Sequence, residues 1–167
     1  PASATRNRTS VSREWSSSPV RDHVRARLDW LGPLSQRQTA LMAEDSVWVA
    51  RLVAAARSGA QLDLAGEGSA NPAEADEWDP GRTIPAAAVR AALLTKGLDP
   101  DPRGLRIRGA NIIGSLDLEH ATLPCTLTIT YSRFNEPVLV EGLACRRLVL
   151  AGSHTPGLDL DGATITG

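Results

Sequence analysis

Several things are scarce in this chain. Of its 167 residues only six are aromatic, four Trp, one Tyr and one Phe, so aliphatic side chains must build whatever core exists. Two cysteines are too few for a disulfide scaffold and lack the clustered spacing of a zinc module, which points to a reducing compartment. Neither sign of charge is in excess. With 18 basic and 19 acidic side chains the net charge is −1, which argues against a polyanion-coating protein and against a strongly acidic nucleic-acid mimic. Apolar runs stop well short of the roughly 18 residues that a bilayer-spanning helix needs, and no secretory leader opens the sequence. A soluble, cytoplasmic protein without membrane contact is expected. The length permits one ordinary domain, or a small core with an appended segment.

What is present changes along the chain. Residues 1–18 are rich in Ser, Arg and Thr and nearly devoid of large apolar side chains, so they cannot offset the entropy of ordering; a flexible basic arm is expected. Residues 19–58 read as helical. Ser18 is an N-cap, Pro19 the first helical residue, and Val20, Val24, Leu28 and Leu31 form a stripe that Gly32-Pro33 stops. Ser35 and Gln38 then make a capping box for a second short helix toward Glu44. A third begins near Ser46, turns Val49, Leu52, Val53 and Ala56 inward, and ends at Gly59. Residues 59–82 mix the alternation of Leu62 and Leu64 with Gly66, Gly68, Pro72, Pro80 and Gly81 and with Glu67, Glu74, Asp76, Glu77 and Asp79, the pattern of an acidic linker. Residues 83–97 carry a last helix, starting at Thr83 or Pro85 and running to Thr95, with Val89, Leu93 and Leu94 apolar; Gly97 and Asp99-Pro100-Asp101-Pro102 end it.

From Leu105 the period shortens. Apolar triplets with an outward centre recur as Leu105-Arg106-Ile107, Leu116-Asp117-Leu118, Leu127-Thr128-Ile129, Val138-Leu139-Val140, Leu148-Val149-Leu150 and Leu158-Asp159-Leu160. Between them lies a second series, mostly opening on a small residue: Ala110-Asn111-Ile112, Ala121-Thr122-Leu123, Ser132-Arg133-Phe134, Leu143-Ala144-Cys145, Ser153-His154-Thr155 and Ala163-Thr164-Ile165. In–out–in triplets are half-buried strand chemistry. Spacing of five or six residues leaves too little strand for antiparallel hairpins but suits a chain that turns a corner after each triplet, four corners to a coil. Equivalent positions then stack as four inward columns: Ile112, Phe134, Thr155; Leu118, Val140, Leu160; Leu123, Cys145, Ile165; and Ile107, Ile129, Leu150.

The units Ala110-Asn111-Ile112, Ala121-Thr122-Leu123, Ser132-Arg133-Phe134 and Ala163-Thr164-Ile165 resemble the pentapeptide-repeat family, in which a small residue stands two before a central Leu or Phe. The resemblance covers about 63 residues and departs from the family where every other face carries Leu or Val in the small-residue place. It implies a short right-handed quadrilateral β-solenoid of about three coils over residues 98–167, an α+β class with the helical N-terminal region as its cap. Three coils are near the minimum for a stable stack. An uncovered last coil implies a longer parent chain, end-to-end self-association or a frayed terminus.

Reactive chemistry is sparse. Gly66-Glu67-Gly68-Ser69-Ala70-Asn71 is an imperfect dinucleotide-binding fingerprint, with Asn71 for the third glycine and Pro72 and Glu74 ill suited to a phosphate; an Asn71-capped turn is expected and no cofactor. His23, His120 and His154 are scattered and form neither a metal nor a catalytic set, Cys145 should be a buried inert thiol, Cys125 should point elsewhere, and Asp117 with Asp159 should be a solvated wall. An Arg-rich N-terminus followed by helix, Gly-Pro turn and helix offers nucleic-acid contact through Arg21, Arg25, Gln36 and Arg37. Similar Leu-Asp-Leu and Gly-Ala repeats occur in sequences labelled membrane-associated oxidoreductases, although no residue here supports that chemistry. The expected function is a non-catalytic structural or protein-interaction module, its partner another protein or a second copy, with nucleic-acid binding or an oxidoreductase fragment as alternatives.

Overall fold

The computed structural model describes residues 32–166, and side chains from residue 45 onward. The basic arm, the helix expected up to Leu31, and Arg21, His23 and Arg25 lie outside the described residues. The chain divides into two compact units, Pro1–Thr39 and Ala40–Gly167, and the architecture below is that of the second. Helices and many short parallel strands share it, a mixed α and β class.

Helix α1 runs unbroken over Gly32–Ser58. This corrects the expected Gly32-Pro33 turn and the separate helices after it. Pro33 falls in the first helical turn, where a missing N–H forfeits no intrahelical bond. The inner face is as read: Leu52 and Ala56 are buried, Val49 and Val53 half-buried, and Gly59 closes the helix in the left-handed region at φ +64°.

The expected linker over 59–82 is also corrected. It contains strand β1 (Gln61–Asp63) and two 3-10 helices, Pro72–Glu77 and Pro80–Arg82. Thr83–Pro85, expected to open a helix, is strand β2, and helix α2 spans only Ala86–Leu93. Both misreadings share one cause. A three-residue strand that borrows all its partners from distant sequence carries almost no local signal, and Gly and Pro around it read as linker. Helix α2 buries Val89 and Leu93 as expected, while Leu94 is exposed.

Ten further strands follow: β3 (Leu105–Arg108), β4 (Asn111–Ile113), β5 (Leu116–Asp117), β6 (Leu127–Thr130), β7 (Arg133–Phe134), β8 (Val138–Leu139), β9 (Ala144–Cys145), β10 (Leu148–Val149), β11 (Leu158–Asp159) and β12 (Thr164–Ile165). They form four ladders, β1-β3-β6-β10, β2-β4-β7, β5-β8-β11 and β9-β12, and every pairing is parallel. From β3 onward the chain visits the ladders in fixed order. A strand meets its partner 20 to 22 residues later, as in Ile107↔Ile129, Ile112↔Phe134 and Val138↔Leu158. Single bridges, Thr122↔Ala144 and Arg133↔His154, continue two ladders where no strand is formed. Consecutive triplets do not pair, which rules out the antiparallel hairpin alternative. Before β3, the chain places β1 on the first ladder and β2 on the second, and packs α2 against β5 of the third.

The apolar triplets explain the interior. Each has two inward residues, so Leu105, Ile107, Leu116, Leu118, Leu127, Ile129, Val138 and Val140 are all buried, and Leu143 and Ala110 join them from the second series. The corners after the first and third ladders are made by left-handed residues. Gly142 (φ +60°) stands one step after His120 (φ +53°), and a Cβ on Gly142 would meet the His120 imidazole, so the close contact and the left-handed φ both favour glycine there. Gly152 likewise lets the Tyr131 ring lie across it.

Ser132 is the one buried polar side chain among the described residues, and its hydroxyl replaces a missing ladder bond. Its Oγ accepts from Ala110 N at 3.0 Å and donates to Thr130 O at 2.9 Å, while Ser153 Oγ does the same for Ser132 N at 3.1 Å and Ile129 O at 3.2 Å. The corner separates the backbones, and the small side chain bridges them. Ser132→Ala should therefore orphan the buried Ala110 N–H and cost about 1–3 kcal/mol in denaturant titrations, and Thr130→Ala much less.

Candidate interaction surface

Outward positions sort the four ladders into walls of different chemistry. On the first, Arg108 Nη1 donates to both Asp63 oxygens at 3.0 and 2.9 Å, and Arg106 Nη2 donates to Gln61 Oε1 at 3.0 Å. These pairs tie β1 to β3. On the second, Thr83, Asn111, Arg133 and His154 stand in one column. The third shows Asp117, Leu139 and Asp159, the fourth Thr122, Ala144 and Thr164.

Asp117 and Asp159 stand two ladder steps apart with Leu139 between them, roughly 10 Å, too far to share a proton. Their role is structural. Asp117 Oδ1 accepts from Glu119 N and Asp159 Oδ1 from Asp161 N, each at 3.1 Å. Asp63 Oδ1 accepts from Ala65 N at 3.0 Å in the same way. In each case the next residue, His120, Gly162 or Gly66, is left-handed. Leu-Asp-Leu followed two residues later by Gly or His is thus a corner signal, an Asx-turn that closes the strand.

The Gly66–Asn71 loop is closed by the protein itself. Arg82 Nη1 donates to Ser69 O at 2.7 Å and Nη2 to Ala65 O at 3.2 Å, and the guanidinium lies close enough to Gly68 to exclude a Cβ there. Asn71 Oδ1 accepts from Ala73 N at 3.2 Å, the expected cap, and Asn71 Nδ2 donates to Glu74 at 2.9 Å. Bonds from Ser69 and Asn71 hold the Glu74 carboxyl below the usual range. A phosphate would meet Pro72 and that carboxylate, so the residues do not fit a dinucleotide.

Cys145 is buried as expected. Cys125 is buried too, a correction: it follows inward Leu123 through a bend at Pro124 and Cys125 and joins the same core. Both thiols are free. Burial pushes both above the ordinary thiol range, against smaller lowering by backbone bonds at Leu105 and Arg147. The folded chain therefore keeps protons that the unfolded chain releases in alkali, so this contribution to stability is whole below the ordinary thiol pKa and is lost as pH rises past it. Ellman's reagent at pH 7.5 should react with neither thiol within minutes and with both in urea; immediate reaction in the native protein would contradict the burial.

Gln36 and Arg37 lie in the opening turns of α1, and the Gly-Pro turn that would have set a second helix against the first is absent, being part of α1. His120 is exposed at a corner and His154 on the second wall, and among the described residues no three of His, Cys, Asp and Glu converge as a metal site. No helix among them is long and apolar enough to cross a membrane. One arrangement escaped the sequence reading: Asp76, in the first 3-10 helix, reaches Arg133 of β7, with Nη1 2.9 Å from Oδ2. No short motif links positions so far apart. Compared with protein-family models, curated proteins and solved structures, the chain matches none.

Proposed function

We propose that the strand-bearing region is a short right-handed β-solenoid of four-sided cross-section, of pentapeptide-repeat type, and that it serves as a non-catalytic protein-interaction module. The observation that carries this reading is the register: inward residues stack on inward residues around all four ladders, so each outward position repeats at roughly 4.8 Å on a stiff wall. Such a wall offers fixed spacing and few reactive groups. The free, buried cysteines fit a reducing, cytoplasmic setting.

The partner we favour is a second copy, through the outer side of β11 and β12. Leu158, Leu160 and Ile165 are 43, 45 and 50 % exposed there, whereas their column mates Val138, Val140 and Cys145 are buried, and among the described residues no strand pairs with that edge, which can take another strand. Light scattering over a concentration series should show a dimer that Leu160→Glu converts to monomer. A wild-type monomer at every concentration removes self-association. A salt-sensitive gel shift abolished by Arg21→Gln, Arg25→Gln and Arg37→Gln would instead favour nucleic-acid binding, and co-purifying flavin or nicotinamide would favour the oxidoreductase alternative.

A further inference from the structure

A groove runs between the 3-10 helix Pro72–Glu77 and the second wall. One end, of about 510 Å³, is lined by Asp76, Arg133, Ser153 and His154; past Asn71, Pro72 and Gly152 it continues into about 450 Å³ beside Arg108 and Tyr131. The two arginines are held differently. Asp63, which holds Arg108, is itself fixed by Ala65 N and Gly66 N, so that pair is part of the fold. Asp76 is 82 % exposed and has no second partner among the described residues, whereas the Arg133 side chain it meets is only 30 % exposed. Arg133 is therefore the less exposed partner, rooted in strand β7 of the second wall, and its present carboxylate is exchangeable.

We propose that this groove binds an extended peptide whose acidic side chain takes the place of Asp76 on Arg133. The remaining lining decides against a phosphate. Three oxygens need converging donors, yet Arg108 is committed to Asp63, Asn71 to its own turn, and Ser153 Oγ to Ser132 N and Ile129 O. One guanidinium and the exposed His154 imidazole remain, next to the Asp76 carboxylate, which disfavours a dianion. Pro72, Ala73 and the exposed Tyr131 ring supply apolar surface on either side, so the matching ligand has one carboxylate flanked by apolar residues. The inference rests on the interaction-module reading and names its partner class. A chain that dimerises but ignores the peptide would keep the module and remove the groove.

The test is fluorescence anisotropy with the full chain and a labelled heptapeptide, one central glutamate flanked by alanine and leucine, against its glutamine twin. The glutamate peptide should bind about tenfold tighter than the twin, and Arg133→Gln should erase the difference. Asp76→Asn should tighten binding about threefold, the amount expected when an exposed ion pair worth a fraction of a kcal/mol no longer competes. Equal affinity of the two peptides, wild-type discrimination in Arg133→Gln, or no gain in Asp76→Asn would each overturn the proposal. So would displacement of the peptide by inorganic phosphate at equal concentration. Asp76 is exposed and its variant should melt as the wild type does, so the result does not hang on Arg133→Gln folding.

Discussion

Leu118→Asp should abolish the cooperative thermal transition, while Asp117→Ala, one residue away, should cost no more than about 1.5 kcal/mol. Leu118 is fully buried in the column with Val140, and a carboxylate there has no cation or donor within the stack. Burying it unpaired exceeds what a chain of this size can absorb, since total stability is only about 5–15 kcal/mol. Asp117 points outward and contributes one hydrogen bond to Glu119 N, whose loss is worth about 0.5–1.5 kcal/mol. Circular dichroism melts of the two variants measure the contrast directly. Equal damage from both would mean that inward and outward are wrongly assigned.

Phe134→Ala should be the most harmful apolar truncation, at about 3–5 kcal/mol. Phe134 is the largest fully buried side chain, sits in register on Ile112, and precedes a half-buried Thr155 in the same column. Its neighbours are backbone-paired on both sides and cannot close over the hole, so the transfer loss and the cavity add. Phe134→Leu should recover most of the loss. An Ala variant within 1 kcal/mol of wild type in denaturant titration would show that the interior is loosely filled rather than stacked.

How far the sequence was legible depends on how local each determinant is. The alternation within a triplet lies in three consecutive residues, and the columns follow once the 20- to 22-residue recurrence is seen; Ile107 on Ile129 and Ile112 on Phe134 were readable in that way. Strand β2 was not, and of β1 only the strand-like alternation of Leu62 and Leu64 was, without its partner. Leu62-Asp63-Leu64 has the same form as Leu116-Asp117-Leu118, but its partner Leu105–Arg108 lies beyond two 3-10 helices and α2, a separation at which no periodicity survives. The continuous α1 was missed because Gly-Pro was weighted as a stop, although proline is at home in a first turn. At the candidate surface, the corner role of Asp63, Asp117 and Asp159 was written in a repeated motif and overlooked. The Asp76–Arg133 pair was written nowhere local, because only the folded position of the 3-10 helix beside β7 creates it.

The stacking register can be measured without relying on stability. In isotope-labelled protein, nuclear Overhauser contacts should join Ile107 to Ile129 and Ile112 to Phe134 across parallel strands, with none between the backbones of 105–108 and 111–113 as paired neighbours. Contacts pairing those two adjacent segments antiparallel, with Ile107 and Ile129 far apart, would contradict the account at its root.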